Sequence, residues 1–144
     1  MSPKSAGLKK VLRAAGQAAL GATLLAAGTG HLTFERKEFR AQVPHWLRLD
    51  PDFVVVTSGV VEIGLGGALL GTWKQPARAV VGATTAAFFV AIFPGNIAQL
   101  VNRADAFGLD TDTKRAVRLL FQPLLVAGAL AATDARGILR RGER

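Results

Sequence analysis

Glu62 is the only residue able to carry a charge in a run of nineteen, Phe53 to Gly71, that reads FVVVTSGVVEIGLGGALLG. As a helix this run is roughly 29 Å long, close to the hydrocarbon thickness of a bilayer. A charge at the middle of such a span costs on the order of 2.5–3.5 kcal/mol on insertion scales, so the carboxyl group needs a partner, a proton or a chemical role. Three other apolar runs carry a polar residue at comparable depth. His31 stands near the outer end of the first, Asn96 about five residues from the outer end of the third, and Gln122 about six residues into the fourth. Arg118 lies one turn outside Gln122 and Ser58 one turn outside Glu62, each on the same helical face.

Together these residues suit the polar head of a hydrophobic small molecule. Glu62 and His31 would contact the head, Asn96 and Gln122 would add hydrogen bonds, and Arg118 would balance the carboxylate. Partners for the Glu62 charge within the bundle are His31 or Arg118. The same side chains could instead do no more than hold helices together, at about 0.6–2 kcal/mol per bond. Two prolines favour a pocket: Pro94 frees the carbonyl of Val90 and Pro123 that of Leu119. Backbone breaks at membrane depth are tolerated only where protein or a water-lined cavity satisfies them.

The elements that must position these residues are four apolar stretches, about residues 12–32, 53–72, 77–101 and 116–134. Each is near the twenty residues of a spanning helix, and none alternates with period two. They predict an all-α, integral membrane four-helix bundle, a single domain with outer loops at 33–52 and 102–115 and both termini on one side. Basic residues near the span ends number ten on the side of the termini and eight on the other, which points the termini to the cytoplasm. Trp46 and Trp73 fall just outside the two ends of the second span, where interfacial aromatic belts form.

Finer expectations follow from local sequence. Arg13 and Gln17 interrupt the first run, so its helix should begin near Ala14 with Arg13 reaching back to the surface. Behind Lys4, Lys9 and Lys10 this run also has the outline of a signal peptide, and the four-span reading retains it. Gly64, Gly67 and Gly71 share one face of the second span and predict a groove for close helix packing there. Asp50 before Pro51 predicts one helix start, and Asp110, Thr111 or Asp112 another. The intervening FRAQVPHWL, residues 39–47, should lie along the membrane surface.

Composition narrows the function. Half the residues are hydrophobic and 19% are charged, against about 25% in an average soluble domain, which favours a membrane setting. The net charge of +8 lies between the apolar runs and at the ends, with no nucleic-acid-binding signature, so nucleic acid is not an expected partner. The absence of cysteine excludes disulfides, thiol relays and thiolate metal sites. With two histidines, one of them in a loop, no haem or copper ligand set exists, and the chain is not expected to be a catalyst on its own.

Four segments in order, GHLTFERKEFRAQVPHWL, VVVTSGVVEIGLGGALL, FVAIFPGNIAQ and VRLLFQPLLV, resemble the DoxX-like family of small four-helix membrane proteins over about residues 12–134. The resemblance aligns a Gly-His at the end of helix one with Gly30 and His31, and a Val-Pro-x-Trp-Leu loop with Val43, Pro44, Trp46 and Leu47. It further aligns Ser-Gly-x-x-Glu with Ser58, Gly59 and Glu62, Phe-Pro-x-Asn with Phe93, Pro94 and Asn96, and an Arg with Gln-Pro element with Arg118, Gln122 and Pro123. It departs at Arg48, where the family has Pro, and at Ala98.

The resemblance implies an accessory subunit of a membrane oxidoreductase system in a bacterial plasma membrane. Its outer-half pocket of His31, Ser58, Glu62, Asn96, Arg118 and Gln122 would hold a quinone-like or lipid ligand, a quinone being the one cofactor implied. Two other readings stand beside it. In one the chain is an assembly subunit that docks a membrane protein partner through residues 35–52; in the other it is a proton or solute pathway. Against the second, the inner halves of spans two to four offer only Thr84 and Thr85.

Overall fold

The computed structural model describes residues 3–137 as five helices: α1 (Pro3–Leu32), α2 (Arg36–Arg40), α3 (Pro51–Gly71), α4 (Ala77–Val101) and α5 (Asp112–Ala132). Helix starts follow local chemistry. The Asp50 carboxylate accepts from the Asp52 and Phe53 N–H groups, and Pro51 takes the first helical position, where no N–H is required. Thr111 caps α5 by accepting from the Lys114 N–H, so this helix begins earlier than its apolar run. In the preceding turn Lys114 donates to Asp110 at 2.7 Å, and this bond holds the Asp110 carboxyl below the ordinary carboxylate range.

The four long helices are each long and apolar enough to cross a membrane. The protein is therefore a multi-pass, all-α four-helix bundle with α2 as a short addition in the outer loop. Consecutive spans pair, α1 on α3 and α4 on α5, and the two hairpins close on a core of Leu24, Leu69, Ala86, Phe89 and Ala129.

The closest approach is between α1 and α3, and the glycines that permit it differ from those expected. Gly64, Gly67 and Gly71 have nothing within 4 Å of a side chain built on them, so the predicted groove faces away from the bundle. Gly21 and Gly28 instead meet Gly66 and Gly59 in antiparallel register. A Cβ on Gly28 would lie 2.6 Å from the Gly59 carbonyl oxygen, and one on Gly66 2.8 Å from that of Gly21. The spacing of seven on both helices keeps the two contacts on one seam. Both candidate sets lie in α3, and only the partner helix decides between them.

The inner end is tied by a polar clamp. Fully buried Gln17 donates from Nε2 to the Leu69 and Thr72 carbonyls at 2.7 and 2.9 Å, and its Oε1 accepts from Arg78 Nε at 2.6 Å. Arg78 also donates to the Ala132 carbonyl at 2.7 Å, placing a cation on the C-terminal end of α5, where the helix dipole favours one. Gln17 thus joins α1 to the end of α3 rather than merely interrupting an apolar run. Helix α1 also begins at Pro3, not near Ala14, because its Ala, Leu and Lys residues are good helix formers, and Arg13 pairs with Asp134 at 3.2 Å. Of the basic residues assigned to this side, Arg140, Arg141 and Arg144 lie outside the described residues.

Two glycine-to-alanine substitutions should move stability in opposite directions. Gly59→Ala sets a methyl 2.7 Å from His31 Cβ and should cost about 1–3 kcal/mol through overpacking. Gly67→Ala meets open space and should be neutral or gain about 0.5–1 kcal/mol of helix propensity. Thermal unfolding of both variants in one detergent checks this; equal effects would mean that the seam does not set the packing.

Candidate functional site

A cavity of about 530 Å³ occupies the outer half of the bundle between the two hairpins. Its wall includes all six residues singled out in the sequence: His31, Ser58, Glu62, Asn96, Arg118 and Gln122. It reaches no further inward than Leu20 on α1, Glu62 on α3, Phe89 on α4 and Leu125 on α5. Leu20, Leu24, Phe89, Ile92 and Leu125 make the deeper lining apolar.

Glu62 and His31 form the buried polar contact on one wall, at 4% and 7% exposure. The glycine seam brings them together, since Gly59 stands one turn before Glu62 and directly against His31. His31 Nδ1 is 2.9 Å from Glu62 Oε2 and also 2.9 Å from the Ala27 carbonyl oxygen one turn back on its own helix. One N–H cannot point at both. It is directed at the carbonyl, so Oε2 stays close to the imidazole but lacks a well-aligned donor.

Asn96 and Gln122 meet across α4 and α5. Asn96 Nδ2 donates to Gln122 Oε1 at 2.9 Å, and Gln122 Nε2 donates to the Phe89 carbonyl at 2.6 Å. That carbonyl belongs to the residue before Val90, whose own acceptor Pro94 leaves without its helical N–H. A side chain of the neighbouring helix thus serves the α4 backbone beside its proline break, as membrane burial requires. Much of the hydrogen-bonding capacity expected to face a ligand is engaged here by protein.

Arg118 lies near enough to Glu62 to feel its charge, as a balancing cation would, but makes no ion pair with it within 4 Å, and its Nε is buried without a hydrogen-bond partner. The guanidinium rests over the Phe107 ring, 5.8 Å from the centroid, an arrangement that offers cation–π attraction but leaves the N–H groups unused. Ser58 lines the same cavity and is half-buried.

The outer loops supply a roof that the sequence reading missed. Residues 39–47 do not simply lie along the surface: Gln42, Val43 and Pro44 are buried, and Phe39 stacks on His31 with centroids 3.3 Å apart. Phe107 packs edge-on against Phe39, and its N–H donates to Glu38 at 2.7 Å. Gln42 donates to Gln99 at 2.6 Å, and Arg36 pairs with Asp52. The signal available in sequence was the apolar Phe39, Val43 and Pro44 within a charged loop, which suits a folded-in segment as well as a surface one.

Fold and cavity together define a small polytopic membrane protein with a roofed, outer-half polar site and a base closed toward the inner side. The chain belongs to a family described as a domain of unknown function, DUF8561, whose model matches residues 20–133. No curated protein and no solved structure matches it.

The two kinds of polar group should respond differently to substitution. Gln122→Leu strands the Phe89 carbonyl and the Asn96 amide and should cost about 1–3 kcal/mol for each group left unpaired. Glu62→Gln breaks no aligned hydrogen bond and removes a charge from the hydrocarbon region, so its unfolding temperature should equal or exceed that of the parent. The reverse order would identify Glu62 as the structural tie.

Proposed function

We propose that this protein is a DoxX-like accessory subunit of a membrane oxidoreductase system, whose outer-half cavity holds the head of a quinone-like or lipid molecule. The observation that carries this reading is a cavity of about 530 Å³, within the range of small-molecule sites, with His31, Ser58, Glu62, Asn96, Arg118 and Gln122 among the polar side chains on its wall and a largely apolar lining around Glu62 at its deeper end. The residues present fit such a group: Arg118 has unused N–H donors for a carbonyl or hydroxyl oxygen, and Glu62 has acceptors for a hydroxyl. A quinone, when bound, would supply the capacity to carry electrons, and this chain would bind and orient it. Electron transfer itself is assigned to a membrane protein partner. The motif order around His31, Glu62, Asn96 and Gln122 supports the family likeness, and the basic residues at the inner ends support cytoplasmic termini in a bacterial plasma membrane.

A second reading, a non-catalytic assembly subunit, draws on the hydrogen bonds that Asn96, Gln122, Gln42 and Gln99 make within the protein. A proton or solute pathway has less support. Thr84 and Thr85 donate to the carbonyls of Val80 and Val81 in their own helix, and the cavity ends in apolar side chains.

Mass spectrometry of small molecules extracted from the detergent-purified protein separates the first two readings. A quinone-like molecule, in either redox state, or a defined lipid should be enriched in the parent and depleted at least about fivefold in a folded Arg118→Met variant. No enrichment over a control membrane protein, with partner capture abolished by changes in residues 35–52, would establish the assembly reading instead.

A further inference from the structure

Resting on the pocket reading above, the hydrogen-bond pattern of the cavity specifies the head group more narrowly. Several polar side chains at or just behind its wall are already engaged. Asn96 and Gln122 are engaged with each other and with the Phe89 carbonyl, and Gln42 and Gln99 with each other and with the Ala106 carbonyl. Of the other polar side chains on the wall, which include Thr23, His31, Glu35 and Ser58, Glu62 and Arg118 are the two that hold a buried polar atom without a partner. Oε2 of Glu62 has no aligned donor, and Nε of Arg118 has no acceptor, although both atoms are buried.

These two groups are complementary in kind. A carboxylate only accepts hydrogen bonds, and a guanidinium only donates them and does not lose its proton in proteins. They stand on α3 and α5 and line one cavity, yet they are not joined by an ion pair within 4 Å. Glu35 is the other acid on the wall; it belongs to the outer loop and leaves Glu62 as the only acid that the spans contribute to the wall. A molecule that satisfies both orphaned groups must present a hydrogen-bond donor toward Glu62 and an acceptor toward Arg118.

The surroundings restrict its shape. Phe39 and Phe107 bound the cavity from the roof, and Leu24, Phe89 and Leu125 line its deeper part around Glu62, so most of the wall is apolar and polar atoms are matched at few points. A flat ring with oxygens at its edge meets that condition, with its faces against aromatic and aliphatic side chains.

We propose that the cavity selects a phenolic ring of the hydroquinone type, with one hydroxyl donating to Glu62 and the oxygen across the ring accepting from Arg118. The corresponding quinone binds less well, because both of its oxygens only accept and one of them would face the carboxylate.

The test uses three probes that share one ring and one tail: 2-decylhydroquinone, 2-decyl-1,4-benzoquinone and the 1,4-dimethyl ether of the hydroquinone. Equilibrium dialysis is run against the full chain in nanodiscs, anaerobically with a reductant for the hydroquinone. The hydroquinone should bind at least about tenfold more tightly than either other probe, the range expected for a hydrogen bond to a charged acceptor. In Glu62→Gln, whose amide both donates and accepts, the three affinities should fall within about threefold of one another. Arg118→Met should weaken all three, since each presents an oxygen to it. Quinone binding as tightly as hydroquinone to the parent overturns the proposal while leaving the pocket in place. Failure of all three to bind, with the protein folded, overturns the proposal and the pocket reading for this class of head group together.

Discussion

The backbone contact of α1 on α3 sets the position of everything above it. Lipid tails are as apolar as leucine side chains, so helices in a bilayer associate through close packing rather than through water exclusion. Here that packing depends on Gly21, Gly28, Gly59 and Gly66, whose missing side chains let two backbones touch. Because Gly59 is flush against His31, the imidazole reaches the next turn of α3 and comes to rest beside Glu62. A structural seam made of the smallest residues thus determines the geometry of the most polar contact in the membrane region.

The second constraint is the scarcity of partners for polar groups away from water. The bundle meets it differently at its two ends. At the inner end Gln17 and Arg78 serve the terminal carbonyls of α3 and α5, closing the structure with bonds that helices need in any case. In the outer half Gln122 serves the α4 backbone near its proline, while Glu62 and Arg118 are left with unused capacity. Orphaned groups of this kind are uncommon in folded proteins, where most buried polar atoms have a partner.

Much of this was readable from depth along the chain. Counting residues from helix ends placed His31, Ser58, Glu62, Asn96, Arg118 and Gln122 in the outer half of the bundle, and all six line the same cavity. The caps at Asp50 and Thr111 followed from side-chain chemistry that acts within three residues. What stayed illegible depended on rotation and on distant partners. Helix α3 carries glycines on two faces, and nothing in its own sequence shows which face meets α1. The pairing of Glu62 with His31 rather than Arg118 is a matter of which helix leans closer, and the roof formed by Phe39 and Phe107 joins loops 68 residues apart in sequence.

The closed inner end has a further meaning. The cavity narrows to aliphatic and aromatic side chains halfway down, and beneath them Gln17, Arg78, Leu69 and Ala132 are bound into one knot. The cavity lies wholly to one side of this knot and does not continue past it. Its outer part lies beneath a roof fastened by Arg36 to Asp52, Glu38 to Phe107 and Gln42 to Gln99, and its wall also includes the exposed Trp46 and Phe121. The contacts that shape the cavity and those that tie the helix ends are thus separate sets, and a change in the roof leaves the knot below it intact.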